Sequence, residues 1–457
     1  MSIEVVVLAA GQGSRMKSGL PKVLHPIAGK PMLAHVLDSA REVKAEALHV
    51  VVGHGAEQVQ EYFADDKDLT WALQKEQKGT GHAVQMALEH LAEEGVTLIL
   101  YGDVPLIQSN TLQALIDIAA HKKLGLLTVN MDDPTGYGRI VRNDSGEVQS
   151  IVEHKDASDA QKTIKECNTG ILAVPTDKLH AWLPALSNDN AQGEYYLTDI
   201  IAMSVDDAMP IETLQPEFAE ETFGVNNRAQ QAELERWYQA RLVQTLMTEG
   251  VTVLDPQRLD IRPGHTRGVT VGRDVVLDVN VILEGEVVLG DGVYVEANCI
   301  IRNSVIAPGT HVKAYSHIED ALIKEGCEVG PYARLRPGTQ LENGAKVGNF
   351  CEVKKSIIGE GSKVNHLTYI GDAQIGQGAN IGAGTITCNY DGVNKFNTVI
   401  GDHAFIGSNT SLVAPVNIGK GATVGAGSTI TKDVEENKLA VGRGRQKNLD
   451  WTRPSKA

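Results

Sequence analysis

The second half of the chain carries a six-residue repeat, and this repeat leaves few folds open to it. From about Gly250 onward an aliphatic residue followed by glycine recurs at Val271-Gly272, Leu289-Gly290, Val329-Gly330, Val347-Gly348, Ile381-Gly382, Ile400-Gly401, Ile406-Gly407, Ile418-Gly419 and Val424-Gly425. Gly272 and Gly290 are 18 residues apart, and Gly401 and Gly407 are 6 apart. A period of six, taken three times per turn, predicts a triangular parallel β-helix of short strands. One coil cannot bury its own apolar face, so the array must be long.

The repeat loses its phase around Thr387–Asn397, where we expect a loop that leaves the prism. Loops held on a rigid scaffold often carry function. The composition agrees with a thin-walled, repetitive structure over part of the chain, because glycine contributes 46 residues while aromatic residues make up only 5%.

Residues 1–227 follow a different pattern, in which short apolar strands alternate with helical stretches. The predicted elements are the strands Val5–Ala10, Leu48–Val52 and Leu98–Leu100 and the helices Met32–Ala40 and Gly81–Leu91. Strands that alternate with helices predict a Rossmann-like α/β domain with a mostly parallel sheet, covered on both faces. In such sheets, ligands bind beyond the carboxyl ends of the strands.

A helix without glycine is predicted between these two regions, over residues 228–249. Leu234, Tyr238, Leu242 and Leu246 recur at every fourth position, and Gly250 is a suitable stop. The helix either holds two domains apart or packs as an amphipathic helix on one of them. The sequence therefore predicts a domain over 1–227, a linker helix over 228–249, and a β-helix domain with a tail over 250–457.

Composition and charge restrict the partners and the compartment. The chain has 42 basic and 58 acidic residues, a net charge of -16, which disfavours binding to nucleic acid or to anionic membranes. Its five cysteines form no CxxC pair, so a disulfide framework or a zinc site is not expected and the cytoplasm fits best. No apolar run approaches the roughly 18 residues of a membrane span. The sequence assigns no role to the basic segment Arg443–Lys456.

The segment Leu8–Met16 follows the first predicted strand and is rich in glycine. Glycines at such a turn let backbone N–H groups approach a phosphate closely. The segment lacks both the third glycine of a dinucleotide-binding fingerprint, where Met16 stands, and the GK[ST] of a Walker A motif. A plain strand-to-helix turn is therefore an open alternative. Arg15 and Lys22 favour a phosphate site, because two cations close to the loop can neutralise a nucleoside triphosphate.

Asp103 stands at the end of an apolar strand, where a buried carboxylate is costly unless it has a partner. It is either the cap of a helix or turn, or a ligand of Mg²⁺. Mg²⁺ prefers one or two protein oxygens together with substrate phosphates. Asn226 can supply a second oxygen.

Arg336 and Lys354 are candidate phosphate ligands in the repeat region. They are 18 residues apart, so we expect them at equivalent places on adjacent coils. The alternative is a pair of solvated cations on an exposed wall. His366 lies near this pair and near Asn380, and histidine titrates in a range suited to general-base catalysis. A structural histidine is the alternative here.

Together these motifs resemble those of a known family. LAAGQGSRM with PKVLH is similar to the signature of sugar-1-phosphate nucleotidyltransferases. Later motifs resemble the uridyltransferase branch, namely Gln74, Gly79–Ala83, Tyr101–Asp103, Gly136–Arg139, Glu153 and Asn168. With the β-helix included, the match runs from Leu8 to about Arg443. The chain resembles the bacterial bifunctional N-acetylglucosamine-1-phosphate uridyltransferases and glucosamine-1-phosphate N-acetyltransferases.

This resemblance implies a uridyltransferase site in the first domain. The implied nucleotide and sugar ligands are Leu8, Ala9, Ala10, Gly11, Lys22, Gln74, Gly79, Thr80, Tyr101, Gly102, Asp103, Gly138, Glu153, Asn168 and Asn226, with Tyr196 and Thr198 as weaker candidates. Asp103 and Asn226 would bind Mg²⁺. The implied reaction joins UTP to N-acetylglucosamine-1-phosphate with release of pyrophosphate. In the family, the product feeds peptidoglycan and other envelope synthesis.

The resemblance also implies an acetyltransferase site in the β-helix, which in this family is left-handed. His366 would accept the proton, and we expect Glu352 to orient its ring. The implied ligands of glucosamine-1-phosphate are Arg336, Lys354, Tyr369 and Asn380, and those of acetyl-CoA are Ala383, Asn389, Tyr390, Ser408, Ala426 and Arg443. The backbone N–H of Ala383 is the expected donor to the tetrahedral oxyanion. Such sites commonly form between neighbouring prisms, so a homotrimer is implied.

Two other functions compete with the bifunctional enzyme. The first is a sugar nucleotidyltransferase whose β-helix only assembles subunits, and His366 with its basic neighbours disfavours it. The second is a scaffold with a regulatory nucleotide-binding head. Asp103, Asn226 and Lys22 argue against that interpretation.

Overall fold

The computed structural model describes residues 2–453, so Met1 and residues 454–457 lie outside it, including the end of the predicted basic segment at Lys456. The chain forms two compact units that meet within one helix, between Tyr238 and Gln239. This point lies inside the predicted linker over 228–249. The division into residues 1–227, 228–249 and 250–457 stays a prediction.

The first unit alternates strands and helices along the chain. Its strands are β1 (Ile3–Ala9), β2 (Pro26–Ile27), β3 (Lys30–Pro31), β4 (Ala47–Val52), β5 (Leu69–Leu73), β6 (Val96–Tyr101), β7 (Leu124–Asn130), β8 (Arg139–Arg142), β9 (Val148–Val152), β10 (Glu166–Pro175) and β11 (Ile211–Leu214). Its α-helices are α1 (Met32–Glu42), α2 (Ala56–Tyr62), α3 (Thr80–Ala87), α4 (Ser109–Ala120), α5 (Asp159–Lys162), α6 (Thr176–Trp182), α7 (Asp199–Asp206) and the first part of α8 (Arg228–Thr248). The predicted strands and helices are confirmed with small shifts at their ends.

The main sheet has the strand order β11-β7-β10-β6-β1-β4-β5, with the β8–β9 hairpin attached at β10. Neighbouring strands are parallel except at β10, which runs antiparallel to both β6 and β7. The predicted mostly parallel sheet is therefore confirmed.

The centre of this sheet is apolar on both faces. Val5 and Val7 of β1 belong to one core cluster, while Val6 and Leu8 belong to another on the opposite face. Because residues alternate between the faces of a strand, a strand that is buried on both sides must be apolar throughout. The loops after β1 and β6 therefore leave a covered sheet at the same edge, where polar residues first appear.

Helix α8 belongs to both units. Leu234 packs in a small core of the first unit with Met16 and Val225, whereas Val243 and Leu246 pack in the core of the second unit. The helix is thus neither a free spacer nor a helix packed on one domain only. Its two ends contribute to different cores.

The second unit is a succession of short strands. They are β12 (Thr252–Val253), β13 (Asp260–Arg262), β14 (Val269–Val271), β15 (Val276–Leu277), β16 (Ile282–Leu289), β17 (Tyr294–Val295), β18 (Ile300–Ile306), β19 (His311–Val312), β20 (His317–Glu319), β21 (Leu322–Ile323), β22 (Glu328–Val329), β23 (Arg334–Leu335), β24 (Gln340–Leu341), β25 (Lys346–Asn349), β26 (Glu352–Lys354), β27 (Ile357–Ile358), β28 (Lys363–His366), β29 (Tyr369–Gly371), β30 (Ala373–Ile375), β31 (Asn380–Ile381), β32 (Ile386–Cys388), β33 (Thr398–Ile400), β34 (Phe405–Ile406), β35 (Ser411–Val413), β36 (Val416–Ile418), β37 (Thr423–Val424), β38 (Thr429–Ile430) and β39 (Leu439–Ala440).

From β22 to β35, each strand pairs in parallel with the strand three places later. This produces three walls, which we name by their ladders. The first wall is β22-β25-β28-β31-β34-β37, the second is β23-β26-β29-β32-β35-β38, and the third is β24-β27-β30-β33-β36. The inward aliphatic residues form one continuous core. The predicted parallel β-helix is confirmed, and so is the loop, which leaves the prism between β32 and β33.

Three cysteines fill the interior of the prism. The thiol of Cys299 donates to the carbonyl of Lys313 at 3.3 Å, and Cys327 and Cys351 make similar contacts to the next coil. Burial raises the pKa of Cys299 and Cys327 to about 11. These thiols therefore pack as small apolar groups. Within residues 2–453, no helix has the length and apolar character required to cross a membrane.

Candidate active sites

A cleft of about 320 Å³ opens at the carboxyl ends of the central strands in the first unit. It is lined by Leu8, Ala9, Ala10, Gly11, Lys22, Val23, Gln74, Gln77, Gly79, Thr80, Ala83, Tyr101, Asp103 and Glu194. Ten of these were predicted from the sequence. The strand pattern predicted ligands beyond the carboxyl ends of the strands, and the polar groups do gather at that edge of the sheet.

A cluster of polar and charged groups at the cleft comes from three separate segments. The Lys22 ammonium contacts the Asp103 carboxylate at the end of β6 and lies 3.4 Å from Asn226 Oδ1. Arg15 Nη2 donates to the same Asn226 oxygen at 2.9 Å. The Val225 N–H donates to the Asp103 carbonyl at 2.9 Å, which holds the Asn226 segment beside the strand end. Two cations, one carboxylate and one amide oxygen thus meet in one place.

Gln74 and Gly79 form another wall of the cleft. The buried Gln74 amide donates to the Gly79 carbonyl at 3.1 Å and to His82 Nδ1 at 3.0 Å, which fixes its orientation. Gly79 has a φ of 107°, and a Cβ there would lie 2.5 Å from the Tyr195 carbonyl oxygen. Only glycine can take this backbone conformation and leave room for the Tyr195 backbone beside it. Gln77, which the sequence analysis missed, donates to the Ala10 carbonyl at 2.7 Å and joins this wall to the β1 loop.

The predicted sugar ligands lie just before β8, just after β9, and on β10. The Asn168 N–H donates to the Gly138 carbonyl at 2.9 Å, and a Cβ on Gly138 would lie 3.4 Å from the Glu153 carboxylate. The Thr198 hydroxyl lies 3.5 Å from Glu153 Oε1. Burial raises the pKa of Glu153 above its ordinary value, and this hydrogen bond opposes the shift.

Tyr101 connects the two parts of the site. Burial raises the pKa of its hydroxyl well above the ordinary value, and the nearby carboxylates of Glu153 and Asp103 raise it further. The phenol therefore stays protonated and can donate a hydrogen bond. Gly102 forms the turn after β6, since its N–H donates to the Leu8 carbonyl at 2.9 Å.

The weaker sugar candidate Tyr196 is buried and accepts a hydrogen bond from Gln192 at 2.9 Å. Glu194, Val23 and Ala83 line the cleft and were not predicted. Val23 and Ala83 lie in the quoted motifs PKVLH and Gly79–Ala83, so those motifs carried a signal for them. For Glu194, the only signal in the sequence was its position in the Gln192–Thr198 segment.

The oxygens of Asp103 and Asn226 fit a divalent cation of the Mg²⁺ type. Among residues 2–453, no group of three or more histidine, cysteine or acidic side chains is placed to hold a metal ion. A complete protein cage is therefore not formed by this unit. Mg²⁺ instead suits one or two protein oxygens together with substrate phosphates. The contact of a cationic ammonium with both oxygens shows that this point of the cleft attracts positive charge.

In the β-helix, several predicted residues occupy one column at the corner between the first and second walls. Along successive coils the column consists of Asn349, His366, Ala383, Ser408 and Ala426. Backbone bonds link the coils just beyond it: Gly384 N–H to the His366 carbonyl, Asn409 N–H to Ala383, and Gly427 N–H to Ser408. Arg443 reaches the end of this column, where its guanidinium donates to the Ala426 carbonyl at 2.5 Å.

His366 is exposed at this corner, and its ring is held by Asn349. His366 Nδ1 lies 2.8 Å from Asn349 Oδ1, across 17 residues of chain. An amide oxygen can only accept, so Nδ1 carries the proton and Nε2 keeps a lone pair. Within residues 2–453 of one chain, no hydrogen bond joins this ring to Glu352, which was predicted to orient it. Glu352 accepts from Arg336 at 2.8 Å instead, because it lies on the second wall and not at the corner.

Arg336 and Lys354 are neighbours on the second wall, as their spacing predicted. The ladder of this wall continues back through β20, β18 and β16, and equivalent positions on successive coils carry Glu284, Arg302, Glu319, Arg336 and Lys354. Charges of opposite sign alternate along the column, and Arg302 forms ion pairs with both of its glutamate neighbours. The alternation stops at Lys354, which follows another cation. This local excess of positive charge suits a phosphate group.

The loop between β32 and β33 returns to this basic pair. Lys354 Nζ lies 3.4 Å from Asp372, which also accepts from the Asn389 amide at 2.5 Å. A Cβ on Gly371 would lie 2.3 Å from the Tyr369 hydroxyl and 2.9 Å from Asn389 Nδ2. The absence of a side chain at Gly371 therefore leaves room for both polar groups.

Lys395 of the same loop was missed by the sequence analysis. Its pKa is held below the ordinary value because the Lys354 ammonium lies beside it. A basic residue in a loop already expected to be functional was the available signal.

One predicted ligand, Asn380, lies apart from these groups within one chain, whereas Tyr390 belongs to the loop and bridges to Lys395. Asn380 is on the first wall, where its register partners are Lys363 and Phe405, whereas Lys354 and Tyr369 are on the second wall. Tyr390 is exposed in the loop, where its hydroxyl donates to the Gly392 carbonyl at 2.5 Å.

Comparison with known proteins matches both units. Residues 5–150 match the family model described as a MobA-like NTP transferase domain. Residues 397–432 match the model described as bacterial transferase hexapeptide, with six repeats. The chain is therefore a transferase with a nucleotidyl-transfer unit and a hexapeptide transferase unit.

Similar proteins extend over the whole chain. The bifunctional protein GlmU of Stutzerimonas stutzeri is 59% identical over 457 residues, which is 100% of both chains. Those of Cellvibrio japonicus and Marinobacter nauticus are 60% identical over 455 residues and 57% identical over 456, covering at least 99% of each chain. A likeness of this extent, with the nucleotide cleft and the histidine corner both present, places the chain in the family of bifunctional GlmU proteins.

Proposed function

We propose that this protein makes UDP-N-acetylglucosamine in two steps on two units. The β-helix transfers an acetyl group from acetyl-CoA to glucosamine-1-phosphate, and the α/β unit then transfers uridylyl from UTP to the resulting N-acetylglucosamine-1-phosphate. One observation carries the proposal: an ordered cluster of Lys22, Asp103 and Asn226 lies in one unit, while a histidine with a defined tautomer lies in the other. Family membership favours this function over the single-function transferase and the scaffold.

In uridylyl transfer, an oxygen of the sugar phosphate attacks the α-phosphorus of UTP and pyrophosphate leaves. The attacking phosphate is already anionic, so no protein base is required. Positioning and charge neutralisation then account for most of the rate. We assign the phosphates to Lys22 and Arg15, and the uracil and ribose to Gln74 and Gly79.

We assign the sugar to Gly138, Glu153 and Asn168, which meet beside Tyr101. The remaining lining residues, Leu8, Ala9, Ala10, Gly11 and Thr80, shape the nucleotide side of the cleft. Mg²⁺ held by Asp103 and Asn226 would stabilise negative charge on the phosphate oxygens. These assignments rest on the lining of one cleft and on the family motifs.

In acetyl transfer, the amine of glucosamine-1-phosphate attacks the thioester carbonyl of acetyl-CoA. A new C–N bond forms, the C–S bond breaks, and the CoA thiolate leaves and takes up a proton. His366 Nε2 takes the proton from the attacking amine, because Asn349 keeps the proton of the ring on Nδ1. Arg336, Lys354 and Tyr369 hold the sugar phosphate.

Acetyl-CoA is assigned to the corner column of Ala383, Ser408 and Ala426, with Arg443, Asn389 and Tyr390 as further contacts. The Ala383 N–H makes no hydrogen bond within residues 2–453, so it can donate to the tetrahedral oxyanion. The column runs along the prism, which suits an extended ligand.

The acetyl-transfer site is proposed to form between chains of a homotrimer in the cytoplasm. Asn380 lies on a different wall from Lys354 and Tyr369, so one chain alone does not gather the set. An exposed apolar ladder also runs beside the column. It consists of Tyr315, Tyr332, Phe350 and Leu367, whose rings stack at 4.8 and 5.3 Å where both partners are aromatic. A neighbouring prism would cover this ladder.

The decisive experiment supplies isotope-labelled acetyl-CoA, glucosamine-1-phosphate, UTP and Mg²⁺ to the purified protein and identifies the products. We expect labelled UDP-N-acetylglucosamine, free CoA and pyrophosphate. If the full mixture releases no CoA, while UTP with separately supplied N-acetylglucosamine-1-phosphate still releases pyrophosphate, only the nucleotidyltransferase remains.

Mixing inactive variants tests the shared site. Trimers reassembled from His366→Ala and Asn380→Ala chains should regain acetyl transfer. At some interfaces an intact His366 of one chain then faces an intact Asn380 of its neighbour. Absence of any recovery, with mixed trimers shown by mass spectrometry, contradicts the shared site.

A further inference from the structure

Lys22 makes contacts that differ from those of an ordinary phosphate ligand. Its ammonium contacts Asp103 and also lies 3.4 Å from Asn226 Oδ1. These are the two oxygens assigned to Mg²⁺. Lys22 and Asp103 expose only 13% and 16% of their side chains, so water screens this ion pair weakly.

Arg15 adds to the same arrangement. Its guanidinium donates to Asn226 Oδ1 at 2.9 Å, so that oxygen faces two cationic groups. The backbone of the Asn226 segment is fixed independently, because Gln230 accepts from the Asn226 N–H at 2.8 Å. The backbone that carries Asn226 is therefore fixed by a bond that neither cation makes, whereas both cationic groups stand at the ends of long side chains.

The charges decide which ligand can enter. Asp103 contributes one negative charge, and Lys22 and Arg15 contribute two positive charges. A divalent cation arriving alone meets a net positive group, and it must displace an ammonium from its carboxylate. A nucleoside triphosphate brings several negative charges and acceptor oxygens for both displaced donors.

We propose that Lys22 is an exchangeable counter-ion of the metal site. It holds the Asp103 carboxylate until a triphosphate arrives, and it then passes to the phosphates as the metal takes the carboxylate. The metal consequently binds tightly only together with the nucleotide. This inference rests on the proposed assignment of Asp103 and Asn226 to Mg²⁺.

The competing interpretation is that Lys22 is a permanent partner of Asp103. In that case, removal of the ammonium leaves a buried carboxylate without a partner and affects folding more than metal affinity. The two interpretations differ in the affinity for a free cation in the absence of nucleotide.

The test measures free Mn²⁺ binding by electron paramagnetic resonance, using the full-length protein. Lys22→Met keeps most of the aliphatic stem but removes the charge, and Lys67→Met removes an exposed charge of the same unit as a control. Without nucleotide, we expect Lys22→Met to bind Mn²⁺ at least about tenfold more tightly than the wild type and the control. With a non-hydrolysable UTP analogue, wild-type affinity should rise and the difference should shrink.

Two further variants keep the test decisive. Lys22→Gln replaces Lys22→Met if the latter unfolds at a lower temperature than wild type. Adding Asp103→Asn to either variant should abolish the gain. Equal Mn²⁺ affinity in wild type and the Lys22 variants overturns the inference, as does a gain that survives Asp103→Asn. Failure of the wild type to form UDP-N-acetylglucosamine overturns the proposed function instead, whatever the Mn²⁺ result.

Discussion

The two units build their sites in opposite ways. In the α/β unit, the groups that meet in the cleft come from distant segments, as Lys22, Asp103 and Asn226 do, and the sheet edge brings them together. In the β-helix, residues at equivalent places on successive coils line up, as Asn349, His366 and Ala383 do. One site is a concavity within one chain, and the other is an exposed corner.

This difference has a consequence for assembly. A cleft at a sheet edge can enclose a nucleotide by itself, because loops from several strands converge there. A prism is convex, so its corner can enclose a ligand only when another surface faces it. In the proposed function, one reaction accordingly runs within a single unit and the other needs neighbouring chains. The following variants test that separation.

The largest effect is expected from Asp103→Asn. Loss of the only carboxylate in the Lys22 cluster should lower uridylyl transfer by about a thousandfold, since metal stabilisation of the transition state is worth several kcal/mol. Acetyl transfer should stay unchanged, because His366 lies in the other unit. Pyrophosphate and CoA release measure the two activities. Asp132→Asn, which removes an exposed carboxylate, is the control, and equal loss of both activities in folded protein would contradict two independent sites.

His366→Ala should show the converse. Acetyl transfer should fall by about a hundredfold or more, because a positioned general base contributes at least that much. Uridylyl transfer from supplied N-acetylglucosamine-1-phosphate should not change. His311→Ala serves as the matched control, since His311 pairs with Glu296 elsewhere on the prism. Acetyl transfer at the wild-type rate would remove His366 from the mechanism.

Variants of Asn349 and Glu352 test which residue of the β-helix orients the ring of His366. Asn349→Ala should lower the kcat of acetyl transfer by about tenfold, because one hydrogen bond that fixes the tautomer is lost. Asn349→Asp should restore activity and shift the pH profile of kcat upward, since a carboxylate stabilises the imidazolium. Glu352→Gln should change the KM for glucosamine-1-phosphate through Arg336 instead. If kcat falls only in Glu352→Gln, then Glu352 and not Asn349 orients the ring of His366.

The smallest effect concerns stability in acid. The ammonium groups of Lys313 and Lys346 hold the pKa of Glu328 at about 2, below its ordinary value of 4.5. Because its pKa is depressed in the folded state, the ionised Glu328 carboxylate stabilises the β-helix at every pH above its ordinary pKa of 4.5. This stabilisation is lost as the pH falls from that value towards 2. Since the Glu328 side chain is 36% exposed, Glu328→Gln should cost less than about 1 kcal/mol at pH 7.

Unfolding monitored by circular dichroism between pH 7 and pH 2 checks this effect. The Glu328→Gln protein should lose less stability across that range than wild type does. Glu360→Gln removes an exposed carboxylate of the same prism and should follow the wild type. Parallel pH curves for wild type and Glu328→Gln would show that the ion pairs contribute nothing.

Much of both sites was predictable, because their motifs are local. Asp103 follows a buried strand, and Arg336 and Lys354 share a register that their spacing reveals. The partner of His366 was not predictable in the same way. Asn349 is 17 residues before His366, whereas the spacing used for prediction was 18, and a one-residue change in coil length selects a different side chain. Gln77 and Glu194 were missed because nothing in their local sequence marks them, whereas Lys395 was a basic residue in a loop already expected to be functional.

The sequence by itself determined a long β-helix joined to a mostly parallel α/β sheet, since the spacing of apolar residues along the chain sets which positions are buried. It also determined which strand ends carry polar groups. Only the tertiary structure decided that Lys22 contacts both Asp103 and Asn226 while Arg15 contacts Asn226. It also decided that Asn349 holds the ring of His366 and that Asn380 lies on another wall. Such contacts depend on coil lengths and loop paths that bring distant residues within hydrogen-bonding distance, and local patterns do not encode those distances.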